Sequence, residues 1–188
     1  MPINKFLYFS DFFAIPVMIV VFVWLAFRSA GFAAAAPDFF ISGVIGALAW
    51  TLAEYFIHRY AYHHAPLLSP LHDAHHKKPN EFIGAPSFVS IPILVAAGYL
   101  PLYPFDPIAA CGFVAGLSLG YEGYMFVHHA THHFKIEPGD WLYQARVRHM
   151  AHHYADATNF GVVTGFWDRV FRTVRVPRRE RASRRAVP

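Results

Sequence analysis

Residues 39–64 read FFISGVIGALAWTLAEYFIHRYAYHH, and this stretch decides the fold. From Phe39 to Ile57 it is polar only at Ser42, Thr51 and Glu54, and it then runs directly into His58, His63 and His64. About 20 residues of α-helix, rising about 1.5 Å each, cross the hydrocarbon core of a bilayer. The stretch therefore predicts a transmembrane helix that delivers its first histidines to one membrane surface.

Three further apolar runs, at 12–28, 84–100 and 107–127, flank it. The first is uninterrupted up to Phe27 and closed by Arg28; a cleaved signal peptide is the weaker reading, because Lys5 alone makes a poor positive leader. Pro86 and Pro92 predict a kinked or partly re-entrant third span. The composition agrees with a membrane chain: 55% of the residues are hydrophobic, 15% are charged and the mean hydropathy is +0.29, more apolar than a soluble core requires. The predicted fold class is all-α, an integral membrane protein with four transmembrane helices and a cytosolic helical cap over 58–83 and 128–174. Residues 1–174 form one unit in this reading.

Charge placement tests the topology. With the N-terminus inside, only Arg28 of the sixteen Lys and Arg residues falls outside, as the positive-inside rule expects. The multi-pass chain is thus expected in a bacterial inner membrane or its equivalent, with its histidines on the cytosolic side. Pro138-Gly139-Asp140 predicts a turn and an N-cap for a helix running to about Tyr154. The Arg-rich stretch 175–188 has no apolar period and predicts a disordered tail near anionic headgroups. No accompanying fold points to nucleic acid.

All thirteen histidines lie between His58 and His153. The single cysteine, Cys111, excludes a disulfide framework and a thiolate site, so a metal would rest on nitrogen and oxygen. Positions three and four apart share a helix face. His72, His75 and His76 form one such trio, and His149, His152 and His153 another. His128 and His132 share a face, as do His129 and His133, and spacing does not choose between these pairs. His58 and His63 are five apart and share no face of a regular helix, which predicts irregular backbone there. Ten neutral imidazoles suffice for two metal ions with positions left for oxygen or water. Gly116-Leu-Ser118-Leu-Gly120 matches a nucleophile-elbow pattern but lies inside a predicted helix. Gly112, Gly116 and Gly120 read instead as a small-residue packing face.

Glu54-Tyr55-Phe56-Ile57-His58-Arg59 through His63, followed by His72-Asp73-Ala74-His75-His76-Lys77, resembles the first two histidine boxes of the fatty acid hydroxylase and sterol desaturase superfamily. The pair His128/His132, the run His149-Met150-Ala151-His152-His153, and the closing Asn159-Phe160-Gly161 and Trp167-Asp168-Arg169-Val170-Phe171 resemble the rest of its pattern. The resemblance covers about Leu52 to Thr173 and is nearest to the fatty acid 2-hydroxylases. It implies a non-haem dimetal site of two iron ions, which zinc can replace in a structure, with O2 as co-substrate. It assigns ligand roles to His58, His63, His72, His75, His76, His128, His132, His149, His152 and His153. His64 is an alternative to His63, because some sterol-acting relatives have a box one residue shorter. His129 and His133 are left as outer or surface groups.

Met125 stands where fatty acid 2-hydroxylases carry an Asp, so Glu54 and Glu122 become the carboxylates expected to orient ligands through hydrogen bonds. The function implied is O2-dependent hydroxylation of a lipid acyl chain, with electrons from an external ferredoxin or cytochrome b5-type donor and its reductase. The alternatives are a carotenoid ring hydroxylase, or a sterol-type desaturase or oxidase with the same metal site. A membrane metal-binding or transport protein is more distant, since polar groups through the spans are scattered. Neither the substrate, the electron donor nor the oligomeric state is fixed by the sequence.

Overall fold

The computed structural model describes residues 3–175. Apart from Arg175, the tail expected over 175–188 lies outside the described residues. The helices are α1 (Lys5–Ala30), α2 (Phe32–Phe56), α3 (Ser69–Lys77), α4 (Ser87–Leu94), α5 (Pro107–His133), α6 (Tyr143–Tyr154) and α7 (Phe166–Val170). Two π-helical turns, Ile57–Tyr62 and Val95–Tyr99, continue α2 and α4. Among the described residues there is no strand. Contacts divide the chain into two compact units, 1–53 with 81–125 and 54–80 with 126–188.

In the first unit, Asn4 caps α1 by accepting from the Leu7 N–H, so the helix starts earlier than the apolar run at 12–28 and passes Arg28 before it stops. Gly31 ends it at φ 77, with its N–H bonded to the Phe27 carbonyl; a left-handed conformation at this point suits a residue without a Cβ. α1, and α2 with its π-turn to Tyr62, are long and apolar enough to cross a membrane. The third run is shorter than expected. Pro86 occupies the N-cap position and Pro92 lies inside α4, leaving an apolar helix over Ser87–Tyr99.

The glycines of α5 pack as their spacing predicts. A Cβ at Gly112 would meet the Phe39 carbonyl oxygen at 2.2 Å, one at Gly116 the Gly43 carbonyl oxygen at 1.8 Å, and one at Gly120 the Trp50 Cβ at 2.6 Å. Backbone thus approaches backbone, the contact that small residues permit between apolar helices. Ser118 lies within this continuous helix and is fully buried, so the strand, turn and helix of a nucleophile elbow are absent. Asp11 of α1 is also fully buried and accepts from Ser90 Oγ at 2.7 Å and from Tyr121 Oη. The apolar core of this unit includes Ile15, Met18, Phe22, Leu94, Val114 and Leu117. Phe13, Val17, Val20, Phe40, Val44 and Leu48 face outward instead, a surface suited to lipid rather than water.

In the second unit, α6 ends at Tyr154 as expected but begins at Tyr143, with Leu142 at the cap position making no side-chain bond. Asp140 is not the N-cap. Its carboxylate accepts from the Glu137 N–H at 2.7 Å and closes the turn before the helix.

Candidate metal centre

Where α2 ends, the backbone widens into the π-helix Ile57–Tyr62. Its i to i+5 bonding superposes residues five apart. The His58 and His63 rings lie 5.6 Å apart at centroids with their planes 13° from parallel. The irregular backbone predicted from their spacing is this turn. α3 then contributes His72, His75 and His76, α5 contributes His128 and His132, and α6 contributes His149, His152 and His153.

Nine of the ten histidines singled out in the sequence fall into two groups, His58/His63/His72/His76/His152 and His75/His132/His149/His153, whose ring nitrogens lie within 4.8 Å of one another. The trios therefore split. His75 of α3 joins the second group while His72 and His76 join the first, and His152 of α6 parts from His149 and His153. The tenth, His128, stands outside both groups, with its Nε2 3.0 Å from that of His75. His64 lies outside as well, its ring 6.4 Å from that of His63. His129 and His133 stack on each other with centroids 4.4 Å apart.

The chemistry of the first group suits a cation. His58 Nδ1 bonds to the Phe160 carbonyl and His152 Nδ1 to the Thr158 carbonyl. A carbonyl only accepts, so both Nδ1 atoms carry the proton and each Nε2 of the neutral ring is a bare lone pair. Yet His58 Nε2 is 2.9 Å from His152 Nε2 and 3.2 Å from His72 Nε2, and His76 Nε2 is 3.0 Å from His152 Nε2. Lone pairs at such spacing repel unless a positive charge lies between them. Nitrogens at right angles around one ion, each about 2.1 Å from it, are about 3.0 Å apart. His63 Nε2 is buried without a hydrogen-bond partner, a further nitrogen that could serve such an ion.

In the second group His132 Nε2 is 2.7 Å, and His153 Nε2 3.1 Å, from His149 Nε2. Burial, followed by neighbouring imidazoles, lowers the affinity for protons throughout: His75 is pushed down to about 2, His132 to about 3 and His153 to about 4, while His72, His149 and His152 are pushed well below the ordinary value. Neutral imidazole, the form that binds metal, is thus the form the fold favours.

Glu54 meets no ligand directly. Its Oε1 accepts from the Val162 and Val163 N–H groups at 2.6 and 3.1 Å, so it fastens a loop instead of a ring. Glu122 belongs to the first unit, and its buried Oε2 has no hydrogen-bond partner. Met125, in place of the family's Asp, is part of that unit's apolar core. Sequence reasoning missed the carbonyls of Thr158 and Phe160, which no side chain announces. Asp168 was visible only as part of the closing motif.

These features define a site of two histidine groups that could each hold a metal ion, and the chain belongs to the fatty acid hydroxylase family: the pattern described as Fatty acid hydroxylase matches residues 43–173. The chain is similar to fatty acid 2-hydroxylase of Homo sapiens, 34% identical over 70% of this chain and 38% of that one. It is similar to the ceramide very long chain fatty acid hydroxylase scs7 of Schizosaccharomyces pombe, 33% identical over 69% of this chain and 41% of that one. A dihydroceramide fatty acyl 2-hydroxylase of Arabidopsis thaliana is 28% identical over 94% of this chain and 80% of its own length. The chain spans about two fifths of the length of the mammalian and yeast relatives. A solved chain described as full-length scs7p, with only its hydroxylase domain visible, superposes with a TM-score of 0.72 at 27% identity, covering 93% of this chain and 71% of that one.

Proposed function

We propose that the chain hydroxylates a lipid acyl chain at a membrane-bound, non-haem dimetal centre. The observation that carries this reading is the convergence of Nε2 lone pairs in two adjoining histidine groups, in a chain whose relatives bear the names of fatty acid and ceramide hydroxylases. His58, His63, His72, His76 and His152 would hold one ion; His75, His132, His149 and His153, with His128 beside them, would hold the other. Two iron ions held there would supply O2 activation for insertion into a C–H bond, with electrons from an external donor protein.

The chain's own contribution is to orient, dehydrate and fix protonation. Carbonyls of Thr158 and Phe160 hold two rings in one tautomer. Burial keeps the imidazoles neutral. Tyr62 stacks on His72 with ring planes 29° apart, limiting that ring's rotation. The topology proposed is four crossings with the histidines at the cytosolic face, supported by the distribution of Lys and Arg and by the outward apolar rows of α1 and α2. The test is lipid mass spectrometry of cells with and without the gene: a species heavier by one oxygen, present only with the gene, supports the reading, and unchanged profiles of acyl and isoprenoid lipids overturn it.

A further inference from the structure

The two histidine groups differ in what stands behind their rings. In the five-histidine group, His58 and His152 each donate through Nδ1 to a carbonyl of the segment 158–160. In the four-histidine group His153 bonds to the backbone of His76, while Nδ1 of both His75 and His149 is buried with no hydrogen-bond partner. A ring whose outer N–H is bonded is fixed in tautomer and direction, and loss of such support typically lowers metal affinity about 10–100-fold.

The supporting segment is itself pinned. Asp168, fully buried, accepts the Phe160 N–H on Oδ1 at 2.8 Å and the Gly161 N–H on Oδ2 at 2.9 Å. Its Oδ1 also takes the Thr173 hydroxyl at 2.7 Å. Asn159 adopts φ 54, which Asn tolerates better than most residues. Its side chain pairs with the backbone of Arg175, accepting from N–H and donating to the carbonyl, both at 2.9 Å. At Gly161 a Cβ would lie 2.0 Å from the Thr164 carbonyl oxygen and 2.9 Å from Asp168 Oδ2, so the loop closes onto the carboxylate only with glycine there. One carboxylate thereby fixes the peptide whose carbonyl orients His58.

We infer that Asp168 is a positioning residue for the five-histidine site alone, and that this site retains its metal while the four-histidine site exchanges. The inference rests on the dimetal reading above and deepens it. Asp168 touches neither metal nor substrate; it acts through the backbone of Phe160 and Gly161 on His58. Asn159 and Glu54, which hold the same loop at either side, assist it.

The experiment uses zinc as probe, full-length protein in detergent, and a chromogenic chelator, so that no turnover is needed. His132→Ala combined with His153→Ala (the His132→Ala background) leaves only the five-histidine site able to hold zinc, and His63→Ala combined with His72→Ala and His76→Ala (the His63→Ala background) leaves only the other. The first variant is expected to release its zinc at least about ten-fold more slowly than the second. Adding Asp168→Asn, which places an amide N–H2 against one of the two backbone donors, accelerates release in the His132→Ala background and leaves the His63→Ala background unchanged. Gly161→Ala repeats this selective effect with Asp168 itself unchanged. Zinc retained in the His63→Ala background reports that each variant is folded. Equal release rates from the two single-site proteins, or an Asp168→Asn effect of the same size in both backgrounds, or loss of zinc from both, overturn the inference. Wild-type protein that binds no zinc at all would instead overturn the dimetal reading on which it rests.

Discussion

His152 donates its Nδ1–H to the carbonyl oxygen of Thr158 across 2.8 Å, six residues further along the chain. This bond turns α6 and the loop after it into one device. It fixes which nitrogen of His152 is bare, and that nitrogen lies 3.0 Å from the Nε2 of His76. The removal of any ring from this arrangement acts on one metal first. His152→Ala combined with His58→Ala and His72→Ala, which leaves two rings in this group, is expected to halve the metal content of purified protein, measured by plasma mass spectrometry, with the remaining ion held by the four-histidine group. Full metal content in this variant would contradict the assignment.

Glu54 stabilises by satisfying two backbone N–H groups, the buried one of Val162 and the part-buried one of Val163. Glu54→Ala leaves both without an acceptor and is expected to cost about 1–3 kcal/mol of stability. Glu54→Gln keeps a carbonyl oxygen for the same donors and costs less. Thermal unfolding in detergent ranks the three proteins; equal losses in both variants would point to the charge of Glu54 and not to its acceptor.

The glycines of α5 give a paired test. Gly116→Ala forces a Cβ against the Gly43 carbonyl oxygen, to which it would lie 1.8 Å, and overpacking of this kind costs about 1–3 kcal/mol. Gly123→Ala meets nothing within 4 Å, so helix propensity leaves it neutral or stabilising by up to about 1 kcal/mol. Melting temperatures that move in the same direction for both would show that α5 does not pack through its glycine face.

Metal-free protein should lose stability in mild acid. His75, His132 and His153 are lowered from 6.5 to about 2, 3 and 4 by burial and by one another, so the folded chain binds fewer protons than the unfolded chain below the ordinary value. Their stabilising contribution is present above 6.5 and declines as pH falls through the window from 6.5 to 4, the sign linkage requires for bases of depressed pKa. The melting temperature of chelator-treated protein is expected to drop between about pH 7 and pH 5. A level profile across that range would contradict the burial of these rings in neutral form.

Much of this was legible because helical spacing is local. His72, His75 and His76 announce a shared face, and the five-residue step from His58 to His63 announces a departure from α geometry that proved to be a π-turn. Gly112, Gly116 and Gly120 announce a close helix contact in the same way. Local spacing cannot show how a trio divides. His75 separates from its neighbours because the rings of α5 and α6 compete for it, a tertiary matter. Nor can it show that Glu54 reaches backbone more than a hundred positions away, or that the groups orienting His58 and His152 are carbonyls. Asp140 misled for a related reason: its carboxylate had two possible partners, and the tight turn at Glu137 took it.

The central claim is that this histidine cluster oxidises a lipid with O2. Iron-loaded protein in lipid nanodiscs, given a reductant and 18O-labelled O2, tests it most directly through mass spectrometry of the extracted lipids. The account predicts one 18O atom in a hydroxyl group on an acyl chain, and none with His58→Ala or His75→Ala. Protein carrying two irons that leaves every acyl lipid unlabelled while consuming reductant would contradict it.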